Sequence, residues 1–157
     1  MSESIASARL AELGIALPAV AAPAAAYVPS TRTGNLAFTA GQLPFVHGVL
    51  QATGKVGAEI SAEQATDLAR IAALNAIAAA ASVAGGIDKL SKIVKVVVFV
   101  ASAPDFTGQP AVANGASLLL QDVFGAAGVH ARSAVGVAVL PLGSPVEIEL
   151  IAEIAEG

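Results

Sequence analysis

The chain has no cysteine and no tryptophan, and only one tyrosine and five phenylalanines among its 157 residues. Without cysteine there can be no disulfide, no thiolate metal site and no cysteine nucleophile. Charge is scarce as well: Asp, Glu, Lys and Arg together make up 13% of the chain, and the net charge is −4. A pI near 5.0 and the absence of a basic stripe argue against a general nucleic-acid binder, which clusters Lys and Arg on one face. No apolar run reaches the ~20 residues of a membrane span. The longest, residues 71–84, is interrupted by Asn75 and Ser82. The opening Met1-Ser2-Glu3-Ser4 lacks the basic region of a signal peptide, so the expectation is a cytoplasmic chain with no membrane partner.

Apolar residues, many of them alanine, make up 55% of the sequence. At this length the chain reads as one domain that buries roughly 70% of the surface its unfolded form exposes. So much apolar surface with so little charge also implies burial between subunits.

Residues 4–14 read as a short helix capped by Ser2 or Ser4 and stopped at Gly14. Pro18 and Pro23 make residues 17–26 an extended arm. Strands at 27–30 and 36–40 flank a turn over 31–35. Residues 45–57 read as loop, with a short strand at 49–51. Ser61 and Gln64 form a capping box that opens a helix to about residue 84, closed by Gly85-Gly86. Residues 93–101 are rich in valine and isoleucine and read as a strand buried on both faces. Gln109-Pro110 opens a second long helix through Phe124. Two strands, from Ala131 and from Val146, close the chain. The order is β-β-α-β-α-β-β: an α+β fold with two long helices on one face of a mixed sheet. Both faces of the strand after Arg132 are apolar, so oligomerisation through the second sheet face is expected.

Arg132 is one of only four arginines and stands against apolar surface. A guanidinium is a rigid five-donor fork suited to gripping a carboxylate in two places. By residue type alone it either binds a ligand or pairs internally with Glu149 or Glu153. His47 and His130 are isolated and lack metal-ligand spacing, so no metal is expected.

Four segments carry a family resemblance. Residues 32–44 (Arg-Thr-Gly-Asn-Leu-Ala-Phe-Thr-Ala-Gly-Gln-Leu-Pro), Lys95 through Val100, Ala131-Arg132-Ser133-Ala134-Val135, and Leu140-Pro141 through Glu147-Ile148-Glu149 occur in the order seen in the reactive intermediate deaminase (Rid) family. The family is also called YjgF-like or L-PSP endoribonuclease-like. The match covers residues 27–156. It makes residues 27–157 the family domain and residues 1–26 an N-terminal extension typical of a divergent subgroup.

The resemblance implies a chorismate mutase-like fold in a homotrimeric barrel, with ligand clefts between subunits and no cofactor. It implies hydrolysis of 2-imino or enamine acids to 2-keto acids and ammonia. Arg132 matches the residue that holds the substrate carboxylate, and Glu147 the one that orients or deprotonates water. Tyr27, Ala40, Gly41, Asn114 and Ala134 match pocket positions. Many members have cysteine where this chain has Ala134, whose backbone carbonyl is retained. Gly136 replaces a commonly more polar residue, which suggests a more open pocket. Other readings are kept: a non-catalytic trimer that binds or senses small carboxylates, and the endoribonuclease or translation-inhibitor role of the family's older label. Residue type alone also allows a solvated strand glutamate at 147, a packing aromatic at 27 and a surface amide at 114.

Overall fold

Strict alternation in the last strand, β7 (Val146–Ile154), decides the layering. Val146, Ile148, Leu150, Ala152 and Ile154 are buried, while Glu147, Glu149, Ile151 and Glu153 are half-buried on the opposite face. The computed structural model describes residues 5–20, 22 and 26–156. In it β7 is the middle of a five-stranded sheet. β1 (Ser30–Thr33) and β2 (Leu36–Thr39) lie on one side of it, and β5 (Leu90–Ala101) and β6 (Ala131–Val137) on the other. All pairings are antiparallel except β5 with β6. The two closing strands are therefore not neighbours, because β5 runs between them.

Two long helices cover the face of the even-numbered β7 residues. α2 (Ala62–Ala84) opens with the expected capping box: Ser61 Oγ accepts the Gln64 N–H, and Gln64 Oε1 accepts the Ser61 N–H. It ends at Gly85 in the left-handed region, φ 91. α2 is long and apolar enough to cross a membrane by length and composition, but its alanine-rich face is spent on the core, with twelve of its residues buried. α3 (Gln109–Phe124) packs on α2 so closely that a Cβ on Gly115 would lie 2.0 Å from the Thr66 carbonyl oxygen. The fold is thus α+β, a mixed sheet with both long helices on one side.

Several boundaries differ from the sequence reading. β1 begins at Ser30 and includes Thr31-Arg32-Thr33; the turn is only Gly34-Asn35, with Gly34 at φ 58. The polar triplet is compatible with a strand because β1 is an exposed edge. Tyr27 consequently lies before the strand. The short strand expected at 49–51 is β4 (Val49–Leu50); what differs is a second strand in the expected loop, β3 (Phe45–Val46), paired with β4 in a hairpin turned by His47 and Gly48, both at positive φ. Asn75 fixes this hairpin to α2 by donating from Nδ2 to the carbonyls of Leu43 and Phe45, each at 3.0 Å. β5 starts three residues early and is fully buried on one face only: Val96, Val98 and Val100 are at 0% exposure, while Val97 and Phe99 are half-buried.

The N-terminal helix α1 (Ala6–Glu12) joins the same core through Ala6 and Leu10. The expected caps Ser2 and Ser4 lie outside the described residues. Asp88 caps α1 from across the chain: Oδ1 accepts the Ser7 N–H at 2.8 Å and Oδ2 accepts the Ser7 hydroxyl at 2.6 Å. Pro23 and its neighbours 24 and 25 also lie outside the described residues.

Candidate functional site

Arg132 pairs in register with Val96, and Glu147 with Phe99. Those β5 residues are three apart, an odd number, and strand side chains alternate with period two. Arg132 therefore rises on the helix-covered face near the β6 edge, and Glu147 stands on the open face. Within one protomer the structure does not bring the two candidate catalytic residues together.

The Arg132 side contains most of the polar machinery. Arg132 Nη1 donates to Asn114 Oδ1 at 2.8 Å and to Ser117 Oγ at 3.2 Å, both on α3. The internal partners expected by residue type, Glu149 and Glu153, lie across the sheet and play no part. Among the described residues the one ion pair is Arg9 with Glu12, so Arg132 is held by neutral acceptors. Neutral acceptors orient a guanidinium without cancelling its charge. The Nε–H and the two Nη2 hydrogens have no protein acceptor among the described residues, and together they form the side-on edge that grips a carboxylate bidentately. Ser117 is buried and also meets His130, whose Nε2 lies 2.9 Å from Oγ. Sequence reading missed Ser117, because a serine inside an apolar helix carries no pattern.

Ala134 lies two residues along β6 on the same face, half-buried against the core. β6 pairs only with β5, so its outer edge presents backbone groups to an incoming molecule. Gly136 does not open the pocket as expected. Its missing Cβ would stand 2.7 Å from Gln109 Nε2, so the Gln109 amide fills that space. Gln109 is anchored by donating to Phe106 O at 2.8 Å and to Ser102 Oγ at 3.1 Å.

On the open face, Gly41 lies beside Glu147. The segment after β2 crosses to β7 through mutual Gln42–Ile148 backbone bonds of 2.7 and 2.9 Å, which carries Ala40 and Gly41 to the start of that strand. Ala40 N–H donates to Pro29 O at 2.8 Å, two residues after the exposed Tyr27. Tyr27, Ala40, Gly41 and Glu147 thus belong to one end of the sheet. Burial first, then the Glu149 charge, raises the Glu147 pKa above the usual glutamate value. A shallow hollow of about 130 Å³ on the same face is lined by Phe38, Thr39, Lys95, Val97 and Glu149 among others. No group of three His, Asp or Glu that could hold a metal ion occurs among the described residues.

These features define a class: an α+β domain with a charge-ready arginine at one sheet edge and a half-buried glutamate of raised pKa on an uncovered sheet face. Residues 7–154 match the family described as "YjgF/chorismate mutase-like, putative endoribonuclease". The chain belongs to this family, the one its sequence motifs resemble. Protein TCP17 of Trypanosoma cruzi is 44% identical over 151 residues, covering 94% of this chain and 93% of that protein. Among solved structures, Atu1372 of Agrobacterium tumefaciens, of unknown function, is 42% identical with TM-score 0.87, over 96% of this chain and 92% of that one. Escherichia coli TdcF, solved with bound serine, is 26% identical with TM-score 0.61, over 88% of this chain and 93% of that one.

Proposed function

We propose that this chain is a cofactor-independent hydrolytic deaminase of 2-imino and enamine acids, working in a homotrimer. The observation that carries the reading is Arg132, a cation oriented by two neutral side chains with its side-on edge uncommitted. The serine bound to TdcF is a small molecule with a carboxylate next to a nitrogen-bearing carbon, which is the shape this site suits. Because one protomer separates Arg132 from Glu147, the reaction needs two copies. The β6 edge of one copy, with Arg132, Asn114 and Ala134, faces the Tyr27, Gly41 and Glu147 end of the next.

In that cleft Arg132 holds the carboxylate and turns the C=N carbon toward Glu147. Water attacks that carbon while Glu147 takes its proton. The proton is returned to nitrogen, giving a carbinolamine. Glu147 then moves the hydroxyl proton to the amino nitrogen as the C–N bond breaks, so ammonia leaves and the C–OH becomes the keto C=O. A raised pKa suits Glu147 to both halves of this exchange.

A second reading rests on the same relative: TdcF was solved with serine bound, which shows binding rather than conversion in that protein. A trimer that binds or senses small carboxylates without turnover would use the same Arg132 edge. The family description also keeps RNA cleavage in view, although a net charge of −4 disfavours it.

The test supplies 2-iminobutanoate, made from threonine by a dehydratase, and follows keto-acid release. Acceleration by the wild type that falls roughly 10- to 100-fold in Arg132→Ala, the loss of a charge-assisted grip, supports the deaminase. Binding of 2-ketobutyrate without acceleration selects the sensor instead. RNA cleavage that survives Arg132→Ala sinks both.

A further inference from the structure

We infer that Ser117 and His130 are positioning residues that lock the Arg132 guanidinium, so that carboxylate affinity at this site depends on the tautomer of a histidine that does not touch the ligand. The inference rests on the reading of Arg132 as a carboxylate grip and names how that grip is set.

The chain of bonds has one consistent direction. His130 Nδ1 lies 2.6 Å from the Gly128 carbonyl, which can only accept, so Nδ1 carries the proton. In the neutral ring Nε2 is then an acceptor, and it lies 2.9 Å from Ser117 Oγ. The Ser117 hydroxyl proton must point to Nε2, which turns the oxygen lone pairs toward Arg132 Nη1 at 3.2 Å. Asn114 Oδ1 takes the other Nη1 hydrogen at 2.8 Å. Both Nη1 hydrogens are consumed, so the guanidinium plane cannot spin and its Nε–Nη2 edge is held outward.

The backbone fixes both ends of this relay. His130 immediately precedes β6, after the 3₁₀ turn of Gly125–Gly128. That turn is tight: a Cβ on Gly128 would fall 2.1 Å from the Leu120 carbonyl oxygen. The Gly128 carbonyl is therefore held by a close packing of the turn against the end of α3. Ser117 lies on the buried side of the same helix, at 7% exposure, where its hydroxyl has few alternative partners.

The experiment has two readouts on the full-length protein. The first needs no ligand: ¹⁵N NMR of the imidazole and guanidinium groups. The expected result is an Nδ1–H tautomer for His130 and restricted Arg132 Nη rotation in the wild type, with the restriction lost in Ser117→Ala and His130→Phe. An Nε2–H tautomer, or Arg132 rotation unchanged in both variants, overturns the inference. The second is the affinity for 2-ketobutyrate against its methyl ester. Each variant should weaken the carboxylate by roughly three- to tenfold, the worth of one neutral hydrogen bond, and leave the ester unchanged. His130→Gln, which keeps an acceptor, should recover part of the loss. Equal affinity in all variants overturns the inference while leaving the Arg132 reading intact. A wild type with the expected NMR signature that binds no carboxylate removes the Arg132 reading, and with it the role inferred for the lock.

Discussion

Gly41 stands so close to Glu147 that a Cβ at position 41 would lie 2.7 Å from the glutamate's carboxyl carbon. The absence of that one atom lets the carboxylate lie against the backbone of the β2–β7 crossover.

The obstructing group is the end of a flexible side chain, so Gly41→Ala should fold. Its melting temperature should correspond to a loss within about 1 kcal/mol, while Glu147 is driven from its position. If Glu147 handles the water, turnover should fall by roughly a hundredfold, the penalty for displacing a catalytic group by an ångström. Unchanged kcat in a folded Gly41→Ala protein would remove Glu147 from the mechanism.

Glu147 also gives stability a pH dependence. Its pKa is raised above 4.5 by burial and then by Glu149, so the folded chain holds the proton more tightly than the unfolded one. The stabilisation from that proton is complete below 4.5 and is lost as pH rises through the raised value. Glu147→Gln cannot titrate. The variant should therefore gain melting temperature relative to wild type as pH goes from about 4 to about 7. Parallel Tm curves across that range would contradict this.

The contact between α2 and α3 tolerates no side chain at position 115, where a Cβ would meet the Thr66 carbonyl oxygen at 2.0 Å. Backbone cannot step aside as a side-chain tip can. Gly115→Ala should cost about 1–3 kcal/mol or more through overpacking, read in urea unfolding. Because α3 carries Asn114 and Ser117, the same variant should weaken carboxylate binding.

Val135 is 44% exposed on the open face of one protomer. A lone copy should tolerate Val135→Asp within about 0.5 kcal/mol. If copies cover this face, the charge would be desolvated on assembly and the assembly should dissociate. Sedimentation should give a wild-type mass of three times the 15.4 kDa protomer, and a single protomer for the variant. A well-folded wild-type monomer would end the two-copy site.

Much of this molecule was legible in the residues. Ser61 and Gln64 announce the start of α2 because capping is a local exchange of two hydrogen bonds. The alternation from Val146 to Ile154 reveals the faces of β7, since a strand repeats every two residues wherever it lies. The polar edge strand at Thr31-Arg32-Thr33 is not legible because its apolar signal is missing. The strand at Val49–Leu50 falls within the expected 49–51, but its partner Phe45–Val46 is not legible because a two-residue strand has no period to detect.

The candidate site divides in the same way. The sequence by itself determined that Arg132 is a rare cation in an apolar setting, that Glu147 shares a face with Glu149 and Glu153, and that cysteine chemistry is excluded. These follow from residue type and short-range periodicity. Only the tertiary structure decided who meets whom. The insertion of β5 between β6 and β7 sets Arg132 and Glu147 on opposite faces, two strands apart. The packing of α3 over β6 gives Arg132 an amide and a hydroxyl in place of a glutamate. Both depend on strand order and helix docking, which join residues far apart in the chain and leave no mark on local sequence.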